Sequence, residues 1–98
     1  MGIEEATRRA SDSIEAIVKD VLGGVAINHR HTITKPYGWI FFYNSRTYLE
    51  TGNVLAMLAG NGPVVVLSSS GEVVMLGTAR PTEAEISAFE DSRGLKDR

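Results

Sequence analysis

The chain contains no cysteine. That excludes a disulfide framework and any thiolate metal centre, and it fits a cytoplasmic protein without requiring one. An excess of positive charge is also missing: 10 Lys and Arg stand against 12 Asp and Glu, for a formal net charge of -2. Without a basic footprint to follow a phosphate backbone, nucleic acid is not an expected partner. No apolar run approaches the roughly 18 to 20 residues that cross a bilayer. The opening segment, with Glu4, Glu5, Arg8, Arg9, Asp12 and Glu15, is too charged for the apolar region of an export signal. Ala6 stands where an N-myristoylation motif takes Ser or Thr. No membrane partner is expected. Aromatic residues are few, and most are gathered at Trp39, Phe41, Phe42, Tyr43 and Tyr48, with Tyr37 just before them.

What is present suits one folded domain over residues 1–98. A chain of this length can bury a single core, and 43% apolar with 22% charged residues is ordinary for a globular protein. From Ile3 to Leu22 the apolar residues recur at spacings of three and four, which predicts a long amphipathic helix stopped by Gly23-Gly24. Its charged residues form a solvated face, with Glu5 and Arg9 at i,i+4. Val25 to Thr34 alternates as a half-buried or edge strand, with Val25, Ile27, His29, His31 and Ile33 on one side. Lys35-Pro36-Tyr37-Gly38 is a turn. Trp39 to Ser45 then reads as an inner strand, with Trp39, Phe41 and Tyr43 on one face and Ile40 and Phe42 on the other.

Between Arg46 and Gly62 the strand pattern lapses into a crossover, where Thr51 or Asn53 caps a short helix from Val54 to Ala59. Val-Val-Val-Leu and Val-Val-Met-Leu, joined by Ser69-Ser70-Gly71-Glu72, form a second hairpin. Thr82 with Glu85 reads as a capping box for a second helix ended by Gly94, and Lys96 to Arg98 are expected to fray. The fold class is therefore α+β: a four-stranded, mainly antiparallel sheet with a long N-terminal helix on one face and a short C-terminal helix. Three strands look apolar on both faces, so the second face needs a cover. Either the C-terminal helix and the crossover supply it, or another subunit does in a homodimer.

The chemistry-bearing patterns are thin. His29 and His31 have a metal-like spacing, but no third ligand accompanies them, and structural or exposed histidines are the better reading; no metal and no cofactor are expected. Ser68-Ser69-Ser70 has no base and reads as a turn. Gly60-Asn61-Gly62 is followed by Pro63 and a strand instead of a helix, which favours a tight reversal over a phosphate cradle. Trp39 and Phe41 read as core, ahead of Tyr43 near the strand's end. Arg46, Tyr48, Glu50, Asn53 and Asn61 are polar groups in a loop beside a rigid strand and are the candidate partner-binding residues, with capping and loop anchoring as the competing role.

Several blocks occur in one order: Gly-Trp-Ile-Phe-Phe-Tyr-Asn-Ser-Arg-Thr-Tyr-Leu-Glu-Thr-Gly-Asn from Gly38, Leu58-Ala59-Gly60-Asn61-Gly62-Pro63, Gly71-Glu72, and Leu76-Gly77-Thr78-Ala79-Arg80-Pro81. Together they resemble the YrhB-like family, also called the immunity protein 35 family. The resemblance runs from about Gly38 to Ile86. It implies an α+β protein without enzymatic activity. It further implies a protein that binds and neutralises a cognate bacterial toxin, as many members do, or a heat-stable, chaperone-like protein for non-native clients, as some stand-alone relatives are. It brings no catalytic residue, and it leaves the toxin-specific surface open, with the first helix and first strand as places for it.

Overall fold

The computed structural model describes residues 1–96. Helix α1 spans Ile3–Ile17 and buries Ala6, Ala10 and Ile14, one stripe at i, i+4 and i+8. It ends earlier than the expected Leu22: Val18 is already extended, and Asp20 takes a left-handed φ of 61°. The early stop lets Val18 and Val21 both turn onto the core, while Leu22 is left 94% exposed. A helix carried through to Leu22 would hold those residues along a single stripe.

The expected strand from Val25 to Thr34 is broken. Strand β1 (Val25–Ile27) is followed by a 3-10 turn at His29–His31 and then by β2 (Ile33–Lys35). The next strand is divided as well, into β3 (Gly38–Phe41) and β4 (Tyr43–Ser45). β1 pairs antiparallel with β4, and β2 with β3, so one long hairpin serves two sheets. Because Ile27 faces Tyr43 and Ile33 faces Ile40, residues 28–32 stand opposite only Phe41 and Phe42. That surplus is accommodated as the 3-10 turn, a large bulge that changes the direction of the arm. The expected turn at Lys35-Pro36-Tyr37-Gly38 is present, with Lys35 paired to Gly38. Gly38 has φ 153°, and a Cβ there would collide with the Val66 carbonyl oxygen of the adjacent strand.

After β4 come helix α2 (Arg46–Thr51), a 3-10 turn at Val54–Ala56, β5 (Val64–Leu67), β6 (Val73–Met75) and helix α3 (Thr82–Arg93). The four-stranded sheet has the order β2-β3-β5-β6 and is antiparallel throughout. Phe41, Val64 and Val66 face α1 and share its core with Val25, Ile27 and Tyr43. Ile40 and Val65 face the other way and are covered by Ile86 and Phe89 of α3. The second face is thus closed by the chain's own C-terminal helix. Covering it needs neither a second subunit nor the crossover, which lies beside β1 and β4 instead.

The aromatic alternation across the strand is as expected, but the burial order is not. Phe41 is fully buried and Tyr43 is 8% exposed, whereas Trp39 is only half-buried at the margin of the α1 cluster. The capping box at Thr82 does not form. Pro81 occupies the N-cap, so Thr82 is already helical and offers no capping bond. Glu85 is buried and turns instead to the Arg80 guanidinium at 3.4 Å. Gly94 ends α3 in the left-handed conformation. Lys96, expected to fray, donates to Ser87 Oγ at 2.6 Å, while 97 and 98 lie outside the described residues.

Candidate functional site

The crossover packs beside β1 and β4. Ser45, 1% exposed, accepts from the Tyr48 amide at 3.0 Å, which caps α2, and donates to the Ala56 carbonyl at 2.6 Å. Asn44 Oδ1 accepts from the amides of Ser45 and Leu58. These two side chains fold the crossover back onto the end of β4. Gly52 closes α2 with φ 74°, its amide donating to the Tyr48 carbonyl. The expected helix from Val54 to Ala59 is only a 3-10 turn, capped by Asn53 as foreseen, through an acceptor bond from the Leu55 amide at 3.1 Å.

The five candidate residues take different positions. Arg46 donates to the Val25 carbonyl at 3.2 Å and ties α2 to β1. Asn53 is the cap just described, and Asn61 donates to the Tyr43 carbonyl, holding the reversal that Gly60 begins with φ 77°. Tyr48 and Glu50 alone use no side-chain hydrogen bond among the described residues. Tyr48 is half-buried and Glu50 exposed. Tyr43 of β4 is buried, and burial pushes its phenol up.

Helix α2 forms the wall between two clefts. One, about 480 Å³, is lined by Ile27, Asn28, the turn His29-Arg30-His31, and Tyr48, Leu49 and Gly52. The other, about 320 Å³, is lined by Val21, Leu22, Ser45, Thr47, Asn53, Leu55 and Ala56. Tyr48 therefore belongs to the first cleft and Asn53 to the second. The first cleft mixes polar and apolar walls, and no carboxylate lines it; its Asn28, His29, Arg30, His31 and Tyr48 side chains have no hydrogen-bond partner among the described residues. The second is apolar: Leu55 is 92% exposed, like Leu22 across from it, and Val54 and Met57 are exposed beside them.

Residue-by-residue reading of the sequence missed both clefts. His29 and His31 were legible only as a same-side strand pair. In a 3-10 turn, with three residues per turn, positions i and i+2 lie about 240° apart, so the pair diverges. Among the described residues no group of three or more His, Asp or Glu comes together as a metal site would require. The signal for the second cleft was Leu22, an apolar residue next to Gly23-Gly24 that a helical stripe absorbed.

The other polar clusters are structural. Ser68 Oγ donates to the Tyr37 carbonyl and Ser70 Oγ accepts from the Glu72 amide, as the turn reading expects. At the far side Tyr37 donates to Glu90 at 2.7 Å, and Lys35 pairs with the same carboxylate at 3.2 Å. Burial, then the Glu90 hydrogen bond and charge, push the Tyr37 phenol far up. For Glu90, burial acts upward, but the Tyr37 and Lys35 hydrogen bonds outweigh it and hold the carboxyl below its ordinary value. No helix among the described residues is long and apolar enough to cross a membrane.

Comparison with known proteins places this architecture. No solved structure matches the chain significantly. The chain is 45% identical over 53 residues to a protein of Escherichia coli (strain K12) described as uncharacterized protein YrhB, a match covering 54% of this chain and 56% of that one. It thus spans about half of that relative's length. A family model described as immunity protein 35 matches residues 4–88, from the first turn of α1 into α3. With that match extending over both layers of helix and the sheet between them, the chain belongs to the immunity protein 35 family.

Proposed function

We propose that this chain is a non-enzymatic immunity protein that binds a cognate bacterial toxin domain in the cytoplasm and neutralises it by steric occlusion. One observation beyond the family supports this reading: both faces of the four-stranded sheet are sealed by the chain's own helices, yet Leu22, Val54, Leu55 and Met57 remain exposed at the crossover end. An apolar centre with a polar rim is the anatomy of a protein interface. Full burial of a leucine side chain stabilises by roughly 1.5 to 3 kcal/mol, so Leu22 and Leu55 together supply a substantial part of a tight complex. Tyr48, Glu50 and Asn53 furnish the rim, and Arg46 and Asn61 hold the backbone that presents it.

The test is co-expression with toxin domains encoded beside the gene. Protection by the parent chain, a one-to-one complex, and loss of both in the Leu22→Asp, Leu55→Asp double variant at unchanged melting temperature are the expected results. Protection that survives the double variant removes the apolar end from the interface. Suppression of aggregation of unrelated unfolded proteins, with no toxin neutralised, supports the chaperone-like role instead.

A further inference from the structure

The geometry points to the cleft between the His29–His31 turn and α2 as the seat for a carboxylate-bearing loop of the partner protein. Naming that partner a toxin rests on the reading above; the chemistry of the seat does not. Five of the nine Lys and Arg among the described residues meet a carboxylate: Arg9 meets Glu5, Lys35 meets Glu90, Arg80 meets Glu85, Arg93 meets Glu72 and Lys96 meets Asp91. Arg30, like Arg8 and Lys19, is exposed and without an ion-pair or hydrogen-bond partner among the described residues, and unlike those two it lines this cleft. It stands between two histidines in a turn that buries no residue of its own. Asn28 and Tyr48, lining the same cleft, add an amide and a hydroxyl that are equally unengaged. At the end of the turn Thr32 Oγ1 is buried with no hydrogen-bond partner.

These groups are presented by the surplus segment 28–32, which stands opposite only Phe41 and Phe42 and is not needed to pair the sheet. Bulges of this kind re-aim side chains, here away from the ladder and beside α2. A guanidinium flanked by hydrogen-bond donors is matched by a carboxylate, which it engages through paired N–H bonds. A polypeptide fits better than a nucleic acid: Arg30 is the one Lys or Arg lining the cleft, and the chain's net charge is -2, which leaves little to follow a phosphate backbone.

The experiment titrates the full chain with a capped peptide of Glu and Gly, read by amide chemical shifts. Parallel arms use the same peptide with Gln for Glu, inorganic phosphate, and a single-stranded oligonucleotide. The expected result is shifts at Asn28–His31 and Tyr48–Gly52 with the Glu peptide and none with the Gln peptide. Arg30→Glu weakens that binding about tenfold or more without moving the melting temperature, and Arg30→Gln falls between. Arg8→Glu, an equal change of charge on an exposed residue of α1, leaves it unaltered. The inference is overturned by shifts scattered over the surface, by equal loss in the Arg8 and Arg30 variants, or by phosphate or oligonucleotide binding the same amides as strongly. In the co-expression assay, Arg30→Glu protecting as well as the parent also overturns it while the immunity reading stands. Peptide binding at the cleft with no toxin neutralised supports the seat and removes only the immunity reading.

Discussion

Phe41 and Trp39 lie two residues apart on one face of β3, yet their energetic roles differ. Phe41 is fully buried among α1 and β5 side chains, and truncation to Ala leaves a cavity that costs about 3 to 5 kcal/mol. Trp39 is half-buried, so part of its indole never leaves water, and its Ala variant loses less. Denaturant unfolding of the two variants measures the difference; equal losses would show that Trp39 is a full core residue. The alternation of these side chains was legible from the sequence, because a period of two needs only the local backbone. Their burial was not, since Tyr43 near the strand's end is covered through β1 and α1, segments that no pattern within residues 39–45 reveals.

At the scale of elements, α1 was legible from its clean stripe at spacings of three and four, β5 and β6 from their compact β-branched runs, and α3 from a short apolar stripe ended by Gly94. The crossover helix α2 was not: it is six residues long, Thr47, Tyr48 and Thr51 are mediocre helix formers, and its capping Ser45 closes the preceding strand. That cap predicts an outcome. Ser45→Ala removes an acceptor for Tyr48 and a donor to Ala56 at a buried position, and is expected to cost about 1 to 2 kcal/mol. Faster amide exchange confined to α2 and the Val54–Ala56 turn would locate the damage; exchange unchanged there would refute the capping role. The junction of α3 with β2 and β3 sets a pH dependence. Glu90 is held below its ordinary value, so its contribution is complete above the unfolded glutamate pKa and is lost as pH falls through the lowered one. For Tyr37 the phenol is raised, so its contribution is complete below the ordinary tyrosine value and declines as pH rises past it. Glu90→Gln is expected to flatten the acid limb of the stability profile, measured by thermal melts across pH, and an unchanged limb would place the acid sensitivity elsewhere.

For the whole molecule, a strand apolar on both faces announced a need for two covers but not their source, because contacts between distant segments leave no local period. The supplier of the second cover is α3, through Ile86 and Phe89. Removing residues from Thr82 onward is expected to expose Ile40 and Val65 and to convert the protein into associated species on size-exclusion chromatography. A truncated chain that stays monomeric and folded would show that the sheet tolerates one bare face. The family blocks from Gly38 to Ile86 were legible as sequence, and the family match extends the likeness to residue 4. The clefts beside α2 depend on the change of sheet at Asn28 and Phe42, which sets the turn and the crossover beyond the closed layers. The exposed side chains there, Leu22, Val54, Leu55 and Met57, belong to neither core cluster, so exchanging them leaves the packing of the sheet in place. Exposed groups such as Leu22, Leu55 and Arg30 therefore change at little cost to folding, whereas Ile27 and Ser45, buried in the walls of the same clefts, do not.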